Sequence, residues 1–164
     1  MDLDREEVGT QLDEIDAALT SAERADDDRE VARLLAAGAH AALRRGDVPR
    51  ARGFADRAAR GSFRHRTAQL DAMRAQTFAA TATGDLEAAL HQTIKARAMA
   101  RDLGRTGELA EQSCALAAIQ LALGAPAEAR SCADAALAAI TATGDRVDAT
   151  AALATLCRAG ADAE

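Results

Sequence analysis

Cysteine and histidine side chains are the first candidates for chemistry, because a thiolate beside an imidazole can act as a nucleophile with its base. Cys114 and His40 would form such a pair only if the fold placed them side by side and a positive group activated the thiol. No spacing in the sequence indicates either condition. Cys114, like Cys132 and Cys157, stands among alanines at helical intervals, which is typical of a small buried residue. We therefore predict that the chain is not an enzyme.

The histidines and the acidic residues do not show the spacing of a metal site. Ligands on one helix recur three or four residues apart, whereas His40, His65 and His91 are far apart in the sequence, although His65 and His91 could approach each other across a hairpin. The run Asp26-Asp27-Asp28 lacks the alternating carboxylates and the central glycine of a calcium loop. A helix start explains this run better. No glycine-rich phosphate-binding motif occurs in the sequence, so we expect no metal and no cofactor.

The composition excludes several other classes of protein. Of the 164 residues, 49% are hydrophobic and 2% are aromatic, and the most frequent residue is alanine, the best helix former. A net charge of −6 argues against a nucleic-acid partner. No apolar run approaches the roughly 18 residues of a membrane span, and the acidic N-terminus lacks the parts of a signal peptide. With three widely spaced cysteines, we expect a reduced, cytoplasmic, all-α chain without a membrane partner.

Glycine-containing segments recur along the chain at a regular interval. Gly46, Gly84, Gly124 and Gly160 are 38, 40 and 36 residues apart. A left-handed glycine ends a helix, and the Asp or Pro that follows starts the next one. In the three complete copies an alanine follows the glycine by five residues and another by twelve, on one helical face where a neighbouring helix could approach closely. These alanines are Ala51 and Ala58, Ala89 and Ala96, and Ala129 and Ala136.

Each repeat therefore predicts a helix, a tight turn and a second helix. The first helix has the apolar stripe Leu12, Ile15 and Leu19, and Asp27 with Glu30 forms a capping-box signal for the second. The predicted helices cover about 4–24, 28–45, 48–60, 64–83, 86–102, 106–122, 126–142 and 146–159. Short connections make neighbouring helices antiparallel. We expect one domain over 1–164, with a leading helix in 1–27, hairpins in 28–61, 62–104 and 105–143, and a terminal helix in 144–164.

The period, the Gly-Asp turn and the spaced alanines resemble the tetratricopeptide repeat (TPR) family, in a longer variant of about 38–40 residues. The resemblance covers roughly residues 28–164, and residues 4–24 resemble a leading cap or the second half of an incomplete unit. It implies a right-handed superhelical solenoid of antiparallel helical hairpins. In this family the first helix of each hairpin lines a concave groove that holds a peptide.

Carried over residue by residue, the resemblance implies a groove in this chain. An acidic group of the partner would meet Arg33, Arg44 and Arg74, and an apolar anchor would lie near Phe78 and Leu121. The groove-facing candidates are Arg33, His40, Leu43, Arg44, Asp71, Arg74, Phe78, Thr81, Glu111, Cys114, Ala118, Leu121, Thr150, Cys157 and Arg158. Some members of the family hold chaperone carboxylates with a clamp of paired Lys and Asn residues. This chain has no Asn, so we expect no such clamp.

The expected function is that of a non-catalytic scaffold or adaptor that binds a protein or peptide segment. Two alternatives stay open, an effector-sensing or self-associating helical segment of a bacterial regulator and a secretion-type chaperone. The terminal helix would leave Leu153, Leu156 and Cys157 on an uncovered apolar face. We expect either a homodimer through this helix or a chain that is a fragment of a longer repeat protein.

Overall fold

The structure of the chain, a computed structural model, describes residues 3–61 and 63–143, and the side chains of residues 12–61 and 63–141. All regular structure in this part of the chain is helical, as predicted. Its helices are α1 (Leu3–Arg24), α2 (Asp28–Arg45), α3 (Val48–Arg60), α4 (Arg66–Thr83), α5 (Leu86–Asp102), α6 (Thr106–Ala122) and α7 (Pro126–Thr143). They pack as sequential hairpins, with bounds within about two residues of those predicted. The predicted helix over 146–159, and the homodimer through it, lie outside the described residues.

The chain divides into two compact units, Met1–Ala89 and Leu90–Glu164. The first unit contains α1 to α4, and α2 packs against α1, α3 and α4. The second unit contains most of α5 together with α6 and α7, and the last two form a closely packed pair. None of the described helices is both long enough and apolar enough to cross a bilayer.

Every helix-to-helix connection in the described residues except the one between α3 and α4 has the same backbone turn. One residue in each turn has a positive φ, and the N–H of the next residue donates to the carbonyl five positions back, as from Asp47 to Ala42 at 2.9 Å. This is the hydrogen bond of a Schellman ending. The residues with positive φ are Gly46, Gly84, Gly104, Gly124 and Asp26. The predicted left-handed role of the repeat glycines is therefore confirmed, with Gly160 outside the described residues.

Aspartates that follow these turns start the next helices. Asp27, Asp47 and Asp85 each accept a hydrogen bond from the backbone N–H three residues ahead, at 3.0–3.1 Å, which satisfies a donor that the helix itself cannot. The capping box predicted at Asp27 and Glu30 is only half formed. The backbone N–H of Asp27 already donates to the carbonyl of Ala22 in the preceding turn, at 3.1 Å.

The repeated alanines are buried, as their spacing predicts. All six are at most 2% exposed, and each pair lies on one face of α3, α5 or α7. A methyl group is the smallest side chain that still excludes water from a helix surface, so these faces admit a close neighbour. A larger side chain at one of these positions would push the packed helices apart.

Larger side chains fill the core of the first unit. The predicted stripe of α1, Leu12, Ile15 and Leu19, is buried and joins Leu34, Leu35 and Phe54 in one cluster. Gly38, in the middle of α2, makes room for an aromatic ring. A Cβ atom at Gly38 would lie 2.7–2.9 Å from three ring atoms of Phe54, so the ring occupies the space of the missing side chain.

Alternate helices of the first unit run in the same direction. Asp16 of α1 pairs with Arg50 of α3 at 2.6 Å, and Glu23 pairs with Arg57 at 2.7 Å. In each pair the arginine lies 34 positions after the acidic residue. The pair that is further along α1 is therefore also further along α3, so the two helices are parallel. The first helix thus lies beside α3 and runs in the same direction.

The connection between α3 and α4 has a different form. Gly61 is extended, with φ −67° and ψ 133°, and the Phe63 ring packs against its Cα, where a Cβ atom would clash. The backbone N–H of Arg64 donates to Asp28 at 3.3 Å. These contacts with the earlier part of the chain hold residues 63–65 out of the helix, so α4 begins at Arg66 and not at the predicted residue 64.

Candidate functional site

One stripe of α2 carries most of the groove-facing residues predicted for the first hairpin. Arg33, Ala37, His40 and Arg44 are spaced by four, three and four residues, which places them on one side of the helix. Arg33, His40 and Arg44 are exposed and Ala37 is half-buried. The opposite side of α2 is buried, since it consists largely of alanines and leucines. The helix is therefore anchored on one side and presents basic and imidazole groups on the other.

The corresponding stripe of α4 lies beside the α2 stripe. Asp71, Arg74 and Phe78 are half-buried and are spaced by three and four residues, which places them on one side of α4. The negative charge of Asp71 contributes to the raised pKa of Arg33 on α2, and the His40 ring stacks on the Phe78 ring. Each of these contacts joins residues 38 positions apart, so α2 and α4 run in the same direction, displaced by one repeat.

Two of the three arginines predicted to hold an acidic group of the partner already bind carboxylates of their own helix. Arg33 makes a two-pronged contact with Glu30, with Nε 2.8 Å and Nη2 2.6 Å from the two carboxylate oxygens. Arg74 Nη1 lies 2.8 Å from Asp71 Oδ1, and both side chains are about four-fifths buried. Such pairs at a spacing of three residues can be anticipated from the sequence.

The Glu30–Arg33 pair shifts the pKa values of both groups. The pKa of Glu30 is below its ordinary value mainly because Arg33 donates to the carboxylate, while partial burial opposes the shift. The pKa of Arg33 is raised, first by the bond to Glu30 and to a smaller extent by the charges of Glu30 and Asp71. Glu30, Arg33, Asp71 and Arg74 therefore form a row of alternating charge across α2 and α4.

Two rings lie beyond this row on the same face. The ring centroids of His40 and Phe78 are 4.8 Å apart and their planes are inclined by 22°, within the range of favourable ring stacking. His40 is exposed, and Phe78 also packs against the core of the first unit. The structure thus brings together two predicted site residues that the sequence separates by 38 positions.

Arg44 lies one turn beyond His40 near the end of α2. Its side chain is exposed, and no described carboxylate lies within ion-pair distance of it. The neighbouring Arg45 is exposed as well but points about 100° away from the stripe. Arg44 is therefore the arginine of this stripe that can offer its whole guanidinium group to another molecule.

The predicted site residues of the third hairpin belong to the second unit. Glu111, Cys114 and Leu121 share one stripe of α6 and are each half-buried. The sequence did not single out the adjacent Gln112, which is 1% exposed with no hydrogen-bond partner for Oε1 among the described residues. An amide at an otherwise apolar position of the pattern is the signal that could have found it. Thr150, Cys157 and Arg158 lie outside the described residues.

The acidic run at the start of α2 is bound by the protein's own groups, as expected for a helix start. Asp27 caps the helix, and Arg64 contacts Asp26 at 3.3 Å and Asp28 at 3.4 Å. His65 Nδ1 lies 3.4 Å from a guanidinium nitrogen of Arg29. No group of three or more metal-ligating side chains is found among the residues that the structure describes.

A surface depression of ≈ 310 Å³ lies between the end of α1, the start of α2 and the end of α3. Its apolar part is made by Val31, Leu35 and Phe63. Its polar rim carries two arginines, Arg57 and Arg60, and the four carboxylates of Glu23, Asp26, Asp27 and Asp28. Arg57 is paired with Glu23, whereas Arg60 is exposed. The depression is large enough for a small organic molecule.

Comparison with known proteins identifies no relative: no protein-family model, curated protein or solved structure matches the chain. What the chain shows is an all-α protein whose helices pack as sequential hairpins.

Proposed function

We propose that the chain is a non-catalytic protein–protein interaction module, a scaffold or adaptor of tetratricopeptide-like design. In this proposal its hairpins form a right-handed superhelix, and a segment of a partner protein lies along the face made by α2 and α4. The site of the first unit comprises Arg33, His40, Arg44, Arg74 and Phe78. Glu111 and Leu121 are proposed as partner-binding residues of the second unit taken by itself.

The observation that carries the proposal is the division of α2 into two unlike sides. One side is closely packed through alanines and leucines, so its position is set by the fold. The other side presents exposed Arg33, His40 and Arg44. Exposed basic and ring-bearing side chains on a rigid helix are suited to binding a partner segment, because the backbone that carries them loses little further freedom on binding. The displacement of α4 from α2 by one repeat extends this face in the way that the family resemblance implies.

The chain's chemistry fits a binding role in a reducing compartment. Cys114 and Cys132 are half-buried and are not joined in a disulfide, and Cys132 Sγ accepts a weak contact from Arg97 at 3.8 Å. We therefore propose a cytoplasmic location with no catalytic thiol. Turnover of any substrate that disappears with Cys114→Ser or His40→Ala would contradict this part of the proposal.

The proposal is tested by a paired comparison of variants in the source cell. The face variant carries His40→Ala and Arg44→Glu, and the matched variant carries His91→Ala and Arg45→Glu, which make the same changes at exposed positions off the stripe. Tagged forms are cross-linked in cells and the captured proteins are quantified by mass spectrometry. We expect at least one protein that the wild type and the matched variant retain and the face variant loses. Identical protein sets for all three forms would refute the proposal.

A small-molecule effector is the second candidate, favoured by the depression beside α2. Its apolar floor and its rim of both acidic and basic groups could hold a small polar organic molecule, as an effector-sensing segment of a regulator would require. A metabolite that raises the melting temperature of the wild type, but not that of Arg60→Glu, would support this candidate, because ligands that bind the folded state stabilise it.

A further inference from the structure

The face made by α2 and α4 differs in charge from α1 and from the chain as a whole. The chain as a whole carries −6, and α1 has seven acidic residues against two arginines. By contrast, the face itself carries three arginines, Arg33, Arg44 and Arg74, against two carboxylates, those of Glu30 and Asp71. The face that we propose for binding is therefore locally basic, and it favours a partner segment of negative charge.

Within this basic face, Arg44 is the group best placed to receive a carboxylate. Arg33 and Arg74 already have carboxylates at 2.6 Å and 2.8 Å, so a second anion there would compete with a bonded one. Arg44 has no described carboxylate within ion-pair distance and is exposed on the stripe. A planar guanidinium group can bind both oxygens of an incoming carboxylate.

The stacked rings of His40 and Phe78 offer a second kind of contact one turn away. Four residues of helix separate His40 from Arg44, which corresponds to about 6 Å along the axis. Because His40 is exposed and already lies parallel to a ring that is fixed by the core, an incoming ring can continue the stack. Aromatic pairs of this kind contribute beyond the area that they bury.

We infer that the partner segment is an acidic peptide with an aromatic side chain, whose ring continues the His40–Phe78 stack and whose carboxylate pairs with Arg44. This inference rests on the proposed function and adds the chemistry of the ligand to it. A peptide is favoured over a single-stranded nucleic acid, although both can stack and carry negative charge. Glu30 and Asp71 lie in the same face and would repel a continuous row of phosphates, whereas a peptide can place its few charges away from them.

The experiment is a selection of peptides that bind the wild-type chain from a displayed library of random twelve-residue sequences. Enriched peptides are synthesised with a fluorescent label, and their affinities are measured by anisotropy. We expect enriched peptides to share an aromatic residue and an Asp or Glu within about four positions of it. Replacing that acid by its amide, or the aromatic residue by alanine, is expected to weaken binding about tenfold or more.

Variants of the protein assign the two contacts. Arg44→Glu is expected to weaken binding of the enriched peptides by about tenfold or more, and Arg45→Glu, the same change at the next residue, by less than about twofold. His40→Ala is expected to weaken it about tenfold, with His91→Ala as its control. His40 is exposed and Arg44 lies near the helix end, so each variant is expected to fold, which circular dichroism verifies.

Each outcome decides between the inference and the function on which it rests. Enriched peptides that lose affinity with Arg44→Glu or His40→Ala but lack the acidic and aromatic pair would overturn the inference and leave the proposed function standing. Enrichment of no peptide, or of peptides that bind both variants as tightly as the wild type, would overturn both. Tighter binding of a single-stranded oligonucleotide than of any enriched peptide, lost with Arg44→Glu, would identify nucleic acid as the ligand and overturn both.

Discussion

Gly38 gives the sharpest test of how α2 and α3 pack. Replacing a glycine by alanine inside a helix stabilises it by about 0.8–1 kcal/mol, because alanine restricts the unfolded chain. At Gly53, in the exposed middle of α3, a Cβ atom would meet nothing within 4 Å, so the whole gain is expected. At Gly38 the Cβ atom would lie 2.7–2.9 Å from the Phe54 ring, which is 3% exposed. That ring cannot move aside without disturbing the core, and overpacking of this kind costs about 1–3 kcal/mol.

The helix contribution is common to both variants and cancels when they are compared. We therefore expect Gly38→Ala to be less stable than Gly53→Ala by about 1–3 kcal/mol in free energy of unfolding. Urea unfolding followed by circular dichroism measures this difference, which corresponds to about 2–4 °C in melting temperature per kcal/mol for a chain of this length. Combining Gly38→Ala with Phe54→Leu should recover part of the loss, because the smaller side chain frees the space. Equal stabilities of the two alanine variants would refute the packing of Phe54 on Gly38.

Three further predictions concern turns, helix faces and charge. Asp26→Gly should raise the free energy of unfolding by about 0.5–1 kcal/mol, because glycine adopts the positive φ of this turn without the strain of a side chain. Gly84→Ala should lower the free energy of unfolding by about 1 kcal/mol for the opposite reason. Urea unfolding that finds Gly84→Ala more stable than Asp26→Gly would contradict the turn geometry. Ala89→Leu should lower the free energy of unfolding by about 1–3 kcal/mol, and Arg105→Ala, on the surface, by no more than about 1 kcal/mol. Equal melting curves would contradict the alanine face. The pKa of Glu30 is lowered on folding, so its stabilisation is present above the ordinary carboxyl pKa and is lost as pH falls through the folded-state pKa. Glu30→Gln should therefore cost at most about 0.5 kcal/mol at neutral pH, and this cost should disappear as the pH falls through the folded-state pKa. A stability difference that stays constant as the pH of the urea titrations is lowered would disprove the pairing.

The helices could be predicted from the sequence because their ends are set locally. Gly46 and Gly84 end helices through their own backbone freedom, and Asp47 and Asp85 start the next ones through hydrogen bonds that span three residues. Such signals lie within a few positions of each boundary, so no tertiary contact is needed to interpret them. The start of α4 could not be predicted in this way, because contacts of Phe63 with Gly61 and of Arg64 with Asp28 determine it.

The candidate site was predicted less completely than the helices. The stripe of α2 follows from helical spacing, but the engagement of Arg33 by Glu30 and of Arg74 by Asp71 changes what these arginines can offer a partner. The spacing of three residues was a signal for both pairs. The stacking of His40 on Phe78 depends on the displacement of α2 against α4. The 38-residue offset in the sequence could have suggested this displacement, but the distance between the two rings could not have been predicted from the sequence.

The Schellman turns also constrain how such a chain can change in length. Three of the intervals between these turns are twenty residues long, which corresponds to one helix and its turn. They run from Asp26 to Gly46, from Gly84 to Gly104 and from Gly104 to Gly124. A duplication of twenty residues would thus add one helix to a series of hairpins and reverse the direction of every later helix. A duplication of forty residues would add two helices and leave the direction of the later helices unchanged. We therefore expect chains of this design to lengthen or shorten by even numbers of helices.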